Sequence, residues 1–211
     1  MELNDLFGLA GKRVVVTGAG SGMGRSAARL LVDLGADVYA TVRRHPLDFA
    51  VAREIPSELG SKEGLDALLD ELPSSIDALF VCHGISNAPG MTNGLEVQLT
   101  NFLSFRYLTE ALLPRMNEES SVTFISSNGG WEWRERAAAC LELFETDGWE
   151  GALAWYESHP ELTNDGYVFA KQCQNAYVHA KVHDPAFVER HVRINAIAPG
   201  LTRTGLTDDF N

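Results

Sequence analysis

A run of valines leads directly into a glycine-rich turn, and this junction constrains the fold more than any other part of the sequence. Residues 13–18 read RVVVTG, and residues 17–24 read TGAGSGMG. From residue 22 to residue 34 apolar side chains recur at helical spacing, and Gly35 supplies a stop. The sequence therefore predicts a buried strand, a tight turn and an amphipathic helix in immediate succession.

Short runs rich in β-branched residues alternate with helical stretches along the rest of the chain. The runs are apolar throughout, which is typical of strands buried on both faces. Strand–helix–strand alternation requires right-handed crossovers, so it predicts a single-domain α/β protein with a Rossmann-type, doubly wound parallel sheet that binds ligands at the carboxyl ends of its strands. The predicted strands are 13–18, 37–42, 76–81, 121–126 and 192–198, with a weaker one at 50–55, and the predicted helices are 22–34, 62–72 and 95–117.

Composition and charge exclude several classes of protein. The chain has 211 residues, 45% of them hydrophobic, and a net charge of −12. No basic cluster is present, which argues against partners such as nucleic acid and anionic membranes. No apolar run approaches the roughly 20 residues of a membrane helix, and the N-terminus lacks a signal-peptide pattern. We therefore expect a cytoplasmic protein that acts on a small molecule.

The cysteines and histidines predict no metal site. Cys82, Cys140 and Cys173 are odd in number and far apart in the sequence, and they form neither a C-x-x-C pair nor a Cys/His metal spacing. The six histidines are scattered as well. Reduced thiols in a cytosolic protein are the expectation.

The glycine turn has the chemistry of an anion site. Gly18, Gly22 and Gly24 let the backbone turn tightly and approach an anion closely. The following helix presents unpaired N–H groups and the positive end of its dipole. Placed between a buried strand and a helix, this turn predicts a site for the pyrophosphate of a dinucleotide.

The end of the second predicted strand favours NADP(H) over NAD(H). An acidic residue at this place would bind the ribose 2′-hydroxyl of NAD, but the sequence reads Thr41-Val42-Arg43-Arg44. The planar fork of arginine suits a 2′-phosphate. NAD(H) stays possible, because the alternative is a solvated basic pair.

Tyr167 and Lys171 lie four residues apart, just after a turn-like Asn-Asp-Gly. Four residues is close to one helical turn, so both side chains leave the same face. An ammonium beside a phenol favours the ionised phenol. The spacing by itself is very weak evidence, because most occurrences of this pattern are surface coincidences.

These features resemble the motifs of the classical short-chain dehydrogenases/reductases, over nearly the whole chain. The spacing at Thr17–Gly24 resembles the nucleotide motif of that family, and Cys82-His83-Gly84 stands where the family usually has Asn-Ala-Gly. Asn101 and Ser127 are at the positions of the catalytic asparagine and serine, and Tyr167 and Lys171 match Y-x-x-x-K. The family's last motif, N-x-x-x-P-G-x-x-x-T, is matched by Asn195, Pro199, Gly200 and Thr204.

The resemblance implies a role for each of these residues. Tyr167 would be the general acid in carbonyl reduction and the base in alcohol oxidation, and Ser127 would hold the substrate oxygen. Lys171, together with oxidised nicotinamide, would lower the phenol pKa and bind the nicotinamide ribose. Asn101 would support a water-linked proton path to Lys171. The implied cofactor-binding residues are Gly18, Ser21, Gly22, Met23, Gly24, Arg43, Glu58, Leu59, Cys82, Gly84, Tyr167, Lys171, Pro199, Gly200, Thr202 and Thr204.

Two of these assignments rest on looser matches. Glu58-Leu59 falls where the family usually has an aspartate followed by an apolar residue against adenine. Glu58 could accept a hydrogen bond from the adenine amino group, or it could be an ordinary surface glutamate.

The gap between Ser127 and Tyr167 is much longer than is usual in the family, so residues 131–164 are interpreted as a helical insertion. It resembles the branch of bacterial 3α-hydroxysteroid dehydrogenase/carbonyl reductase, which also tolerates cysteine at the position of Cys82. That branch implies a bulky hydrophobic substrate such as a steroid. An insertion before the Tyr–Lys helix also implies a homo-oligomer that is a dimer rather than a tetramer.

Within the insertion, Ala137, Cys140, Leu141 and Phe144 predict one helix. Gly148 interrupts it, and a second helix is expected to carry Leu153 and Tyr156. Such a hairpin could simply pack on the surface, or it could form a lid or wall over a substrate cleft.

The sequence thus predicts an NADP(H)- or NAD(H)-dependent oxidoreductase that interconverts a secondary alcohol and a ketone or aldehyde. The main alternative is a nucleotide-binding member of the same fold that turns over little and acts as a sensor or subunit. The sequence stops soon after Pro199-Gly200, where relatives continue, which suggests either a trimmed chain or a natively short one. An extended-type epimerase is disfavoured by the spacing of the glycines.

Overall fold

The computed structural model describes residues 8–86, 93–200 and 202. Within this part of the chain, six parallel strands form one sheet in the order β3-β2-β1-β4-β5-β6. The predicted α/β fold with a parallel sheet is confirmed. The strands are β1 (Arg13–Thr17), β2 (Asp37–Val42), β3 (Arg53–Pro56), β4 (Ile76–Val81), β5 (Met116–Ile125) and β6 (Arg193–Ile197).

Helices connect the strands on both faces of the sheet. A π-helical turn, Leu99–Leu103, joins the third helix to the fourth without a break. No helix in the described ranges is long and apolar enough to cross a membrane. The helices are α1 (Gly22–Asp33), α2 (Lys62–Glu71), α3 (Gly94–Gln98), α4 (Ser104–Leu112), α5 (Ala137–Phe144), α6 (Gly148–Ser158), α7 (Pro160–Asn164), α8 (Tyr167–Lys181) and α9 (Pro185–Val188).

Successive valines of β1 point to opposite faces of the sheet, and each face has its own core. Val14 and Val16 pack with Ala28 and Leu31 of α1. Val15 belongs to the larger core on the other face, which also contains residues of α2, α4 and α8. Because both faces are covered, the strands must be apolar throughout, as their sequences are.

The helix predicted over 95–117 is wrong at its C-terminal end. Pro114 has no backbone N–H, so the helix tightens into a 3₁₀ turn at Leu113–Arg115. Met116 then begins β5, five residues earlier than the predicted strand. A β-branched pattern appears only later in β5, and the sequence prediction therefore missed its start.

Residues 131–164, interpreted from the sequence as an insertion, contain three α-helices rather than two. Gly148, with a φ of +59°, begins α6, and Pro160 at the first position of α7 starts a further helix. Leu141, which was predicted to lie on the apolar stripe, is 51% exposed, whereas Leu143 is buried. Trp149, Trp155 and Tyr156 join the main core, so the insertion is an integral layer of the molecule.

Candidate active site

The glycine turn lies at the carboxyl end of β1, next to the end of β4, where the direction of strand order changes. A Cβ atom on Gly18 would lie 2.7 Å from the Cα of His83, and one on Gly24 would lie 2.3 Å from the carbonyl oxygen of Gly18. Side chains are therefore excluded at both positions. The turn thus packs so closely against the loop after β4 and against the start of α1 that both positions require glycine.

The first turn of α1 is left uncapped by protein groups. Ser21, the residue before the helix, makes no side-chain capping hydrogen bond, and the first turn carries no acidic residue. Gly22 adopts a φ of +53°, and Met23 follows it inside the first turn. Uncapped N–H groups at the positive end of a helix dipole fit a pyrophosphate.

Arg43 and Glu58 meet beyond the ends of β2 and β3. The Nη1 atom of Arg43 lies 3.9 Å from the Oε1 atom of Glu58, and both side chains are largely exposed. Leu59 is buried in the main core instead of being free to contact a ligand. The carbonyl oxygen of His45 would lie 2.9 Å from a Cβ on Gly20, so the segment after Arg43 borders the glycine turn.

A buried histidine ties the ends of β1 and β4 to α4. His83 Nδ1 lies 2.7 Å from Thr17 Oγ1, and His83 Nε2 lies 2.8 Å from Ser104 Oγ. The Ser104 hydroxyl donates to the carbonyl oxygen of Thr100, so it accepts from His83 Nε2–H, and Nδ1 accepts from Thr17. Burial lowers the pKa of His83 to about 3, so this ring is neutral near pH 7.

Asn101 lies in the π-helical turn and is fully buried. Its Oδ1 accepts from the N–H of Ile85 at 2.8 Å, and its Nδ2 donates to the carbonyl oxygen of Ile85 at 2.8 Å. This pair fixes the loop that follows β4, which contains Cys82 and Gly84. Burial raises the pKa of the Cys82 thiol to about 12, so that thiol is neutral as well.

Ser127 and Tyr167 come together at the carboxyl end of β5. Ser127 Oγ accepts from the N–H of Gly129 at 3.1 Å, and the Ser127 side chain is close enough to Tyr167 to lower the pKa of its phenol. Tyr167 is the first residue of α8 and is partly buried. Burial raises its pKa above the ordinary value, and Ser127 opposes that rise.

Lys171 is one helical turn further along α8 and is only 4% exposed. Its Nζ atom donates to the carbonyl oxygen of Ile125 at 2.7 Å and lies 5.4 Å from the centre of the Tyr167 ring. Burial lowers the pKa of Lys171 to about 7, against a weaker opposing effect of Cys82. The amine therefore exchanges its proton near neutral pH.

The last motif lies at the same edge of the sheet. The N–H of Ser126 donates to the carbonyl oxygen of Ile197 at 2.7 Å, so β5 and β6 end together. Pro199 and Gly200 follow β6, and Thr202 donates to the carbonyl oxygen of Gly200 at 3.0 Å. Thr204 lies outside the described residues.

Two buried residues of this site were not assigned a role from the sequence. His83 was noted only as part of a departure from Asn-Ala-Gly. Gln174 donates from Nε2 to the carbonyl oxygen of Asn101 at 2.5 Å, where a water-linked path was expected. In the sequence, the only indication that Gln174 belongs to the site was its position three residues after Lys171, which places both side chains on one face of the helix.

A glycine turn at the point where strand order changes, next to a serine, tyrosine and lysine at a neighbouring strand end, defines a Rossmann-fold oxidoreductase that uses a nicotinamide dinucleotide. Residues 12–139, more than half of the chain, match the short chain dehydrogenase family. The chain belongs to that family, and it is an oxidoreductase that acts on CH–OH groups.

Curated relatives align over almost the whole chain. Coniferyl-alcohol dehydrogenase from Pseudomonas sp. (strain HR199) is 32% identical over 202 residues, which are 96% of this chain and 77% of the relative. The 3-oxoacyl-[acyl-carrier-protein] reductase of Chlamydia trachomatis is 26% identical over 214 residues, 96% of this chain and 79% of the relative.

Solved structures share the fold at lower identity. The 3-alpha-hydroxysteroid dehydrogenase from Pseudomonas sp. B-0831, complexed with NADH, has a TM-score of 0.71 at 22% identity, covering 92% of this chain and 74% of that one. The RhlG/NADP complex from Pseudomonas aeruginosa has a TM-score of 0.68 at 21% identity, covering 95% and 76%. Nicotinamide cofactors of both kinds thus occur on this fold.

Proposed function

We propose that the protein interconverts a bulky hydrophobic alcohol and its ketone or aldehyde, with NADP(H) as the preferred cofactor. The observation that carries the proposal is the meeting of Ser127 and Tyr167 beside Gly129, with the buried Lys171 amine 5.4 Å from the centre of the Tyr167 ring. Tyr167 gives its proton to the carbonyl oxygen in reduction and accepts one in oxidation, while Ser127 holds that oxygen. The nicotinamide supplies or accepts the hydride.

The remaining residues hold the cofactor in this proposal. The turn at Gly18–Gly24, with Ser21 and Met23, receives the pyrophosphate, and Lys171 contacts the nicotinamide ribose. Arg43 binds the 2′-phosphate, and Glu58 lies beside the adenine. Pro199, Gly200, Thr202 and Thr204 border the nicotinamide, and Asn101 fixes the loop with Cys82 and Gly84 against it.

Three observations support a bulky substrate. The segment between Ser127 and α8 is long, as in the hydroxysteroid dehydrogenase branch that the sequence resembles, and that branch implies a bulky substrate. Trp131, which directly follows the Asn128–Gly130 turn beside Tyr167, is 81% exposed and offers a large apolar surface. One relative is a coniferyl-alcohol dehydrogenase and one structural neighbour is a hydroxysteroid dehydrogenase, and both names denote bulky alcohols.

In the direct test, the purified protein is mixed with NADPH and, in separate assays, with coniferaldehyde, a 3-ketosteroid or acetone. Reduction is followed by the loss of nicotinamide absorbance. We expect reduction of one of the bulky carbonyls and little reduction of acetone. If none of the three carbonyls is reduced, or if acetone is reduced as well as the bulky carbonyls, the proposed substrate class is wrong.

A paired substitution tests the role of Tyr167. Tyr167→Phe removes only the hydroxyl, and loss of a positioned general acid lowers kcat roughly 100- to 10,000-fold. Tyr39→Phe in β2 is the matched control, and we expect it to keep wild-type turnover. Cofactor affinity, measured by NADPH fluorescence, should survive in both. If the Tyr167→Phe protein reduces the carbonyl substrate as fast as the wild type, Tyr167 is not the general acid.

We also propose a cytoplasmic homodimer. The cysteines of the described residues are all free thiols, which fits a reducing compartment. The turn Trp133–Arg136 and helix α5 of the insertion pack on α8, and Cys140 Sγ lies 3.8 Å from Cys173 Sγ. The surface of α8 that they cover is unavailable for a subunit contact.

A further inference from the structure

Gln174 lies on α8, three residues after Lys171, and is completely buried. Its Nε2 donates to the main-chain carbonyl oxygen of Asn101 at 2.5 Å, and its Oε1 accepts from Lys171 Nζ at 3.4 Å. One carboxamide therefore contacts two residues of the candidate site from opposite ends.

The Lys171 amine has few other groups to stabilise its charge. Its shorter hydrogen bond goes to the carbonyl oxygen of Ile125. The titratable groups that face it within the described ranges are the Cys82 thiol and the His83 ring from the loop after β4, and the Tyr167 phenol from its own helix. All three are neutral at pH 7, so hydrogen-bond acceptors and the faces of the Phe105 and Tyr167 rings stabilise the ammonium form.

Resting on the function proposed above, we propose that Gln174 is a positioning residue of the site: its carboxamide bridges the Asn101 carbonyl and the Lys171 ammonium and so holds that ammonium beneath Tyr167. Asn101 and Lys171 are then linked directly through the Gln174 side chain. The Gln174 amide can hold the Lys171 ammonium in position, but it carries protons poorly. The role of Asn101 in this link is therefore to anchor the Gln174 side chain and not to pass protons.

The experiment measures the titration of Lys171 in the cofactor-free protein. The sequence contains four lysines, Lys12, Lys62, Lys171 and Lys181, so 13Cε-labelled lysine gives a simple NMR spectrum. Lys171→Arg identifies the Lys171 resonance by removing it. The test variants are Gln174→Leu and Gln174→Glu. The control is Gln172→Leu, which removes an equally buried glutamine from the same helix whose Oε1 has no partner among the described residues.

Loss of an acceptor disfavours the charged amine, so in Gln174→Leu the Lys171 midpoint should fall by about one pH unit, a tenfold change in proton affinity. In Gln174→Glu a carboxylate replaces the amide oxygen, so the midpoint should rise by about one unit or more. Gln172→Leu should leave it in place. Activity that requires the ammonium should decline at correspondingly lower pH in Gln174→Leu, with kcat affected more than KM.

The proposal is overturned if Gln174→Leu and Gln172→Leu give the same Lys171 midpoint, or if Gln174→Glu fails to raise it. Gln174→Glu keeps the shape of the side chain but has no N–H for the Asn101 carbonyl, so it tests the contact with Lys171 alone if Gln174→Leu does not fold. The NMR titration needs no substrate, so it separates a failure of this bridge from a failure of the proposed reaction.

Discussion

At the scale of residues, the two ionisable groups of α8 respond to burial in opposite directions. Burial raises the pKa of Tyr167 and lowers that of Lys171 to about 7, so it favours the neutral form of each. The groups that shift the pKa of Tyr167 do not include Lys171. The lowering of the phenol pKa by Lys171 and oxidised nicotinamide stays a prediction about the loaded enzyme.

Cofactor preference is decided at the scale of single residues as well. In Arg43→Asp, a negative charge replaces the guanidinium assigned to the 2′-phosphate, so the ratio of kcat/KM for NADPH over NADH should fall roughly 10- to 100-fold. The measurement is a steady-state comparison of both cofactors with one carbonyl substrate.

Arg44→Asp is the matched control for Arg43→Asp, because Arg44 is the adjacent residue and is also exposed. We expect a much smaller change in the cofactor ratio from this variant. The assignment of the 2′-phosphate to Arg43 fails if only Arg44→Asp changes the ratio, or if neither does.

At the scale of elements, one arginine docks the insertion onto α4. Arg106 is 5% exposed and donates to the carbonyl oxygen of Leu143 at 2.8 Å and to the carbonyl oxygen of Thr146 at 2.6 Å. Its Nε also donates to Glu110 at 2.9 Å. The Leu143 carbonyl oxygen also accepts from Thr146 Oγ1 at 2.6 Å, so Arg106 adds charged hydrogen bonds that join α4 to the end of α5.

Arg106→Leu should therefore lower the free energy of unfolding by about 3 kcal/mol, because it removes the charged hydrogen bonds between α4 and the end of α5 and leaves Glu110 without its ion-pair partner. Urea denaturation measures the change. Arg134→Leu is the control, since Arg134 is exposed and lies over the ring of Trp133. It should change the unfolding free energy by less than about 1 kcal/mol. Equal losses in both variants would contradict the docking role of Arg106.

Helices and strands were predicted well from the sequence where the apolar periodicity was uninterrupted. They were predicted poorly where a proline or a π-helical turn changed the backbone hydrogen bonding. The helix 62–72 and the strand 37–42 agree closely with α2 and β2. The π-helical turn at Leu99–Leu103 could not be predicted from apolar periodicity. A π-helical turn adds one residue to a helix, and this addition depends on tertiary packing and not on a repeating sequence pattern. The third helix within residues 131–164 begins at Pro160. A proline can either start a helix or end one, and which of the two occurs here depends on where the preceding helix α6 ends.

At the scale of the whole molecule, the proposed dimer can be measured directly. Because the insertion covers part of α8, we expect sedimentation equilibrium at micromolar concentrations to give a mass of twice 23.1 kDa. A mass of four chains would show that α8 is still available for contacts. A single-chain mass at all concentrations would rule out the homo-oligomer altogether.

The sequence by itself determined which residues could gather at the carboxyl edge of the sheet. Ser127 follows β5, the glycine turn follows β1, and the carboxyl ends of parallel strands share one edge. The four-residue spacing of Tyr167 and Lys171 likewise put both on one helix face. These placements follow from local patterns and from the single direction of the strands.

Only the tertiary structure decided which side chains complete the site. The contact of Gln174 with Asn101 and the approach of Cys140 to Cys173 join residues far apart in the chain. No periodicity or spacing encodes such contacts, because they depend on how α8 packs against the π-helical turn and α5. The physical reason is that hydrophobic burial sets where helices lie, while the hydrogen bonds between them form only in the packing that results.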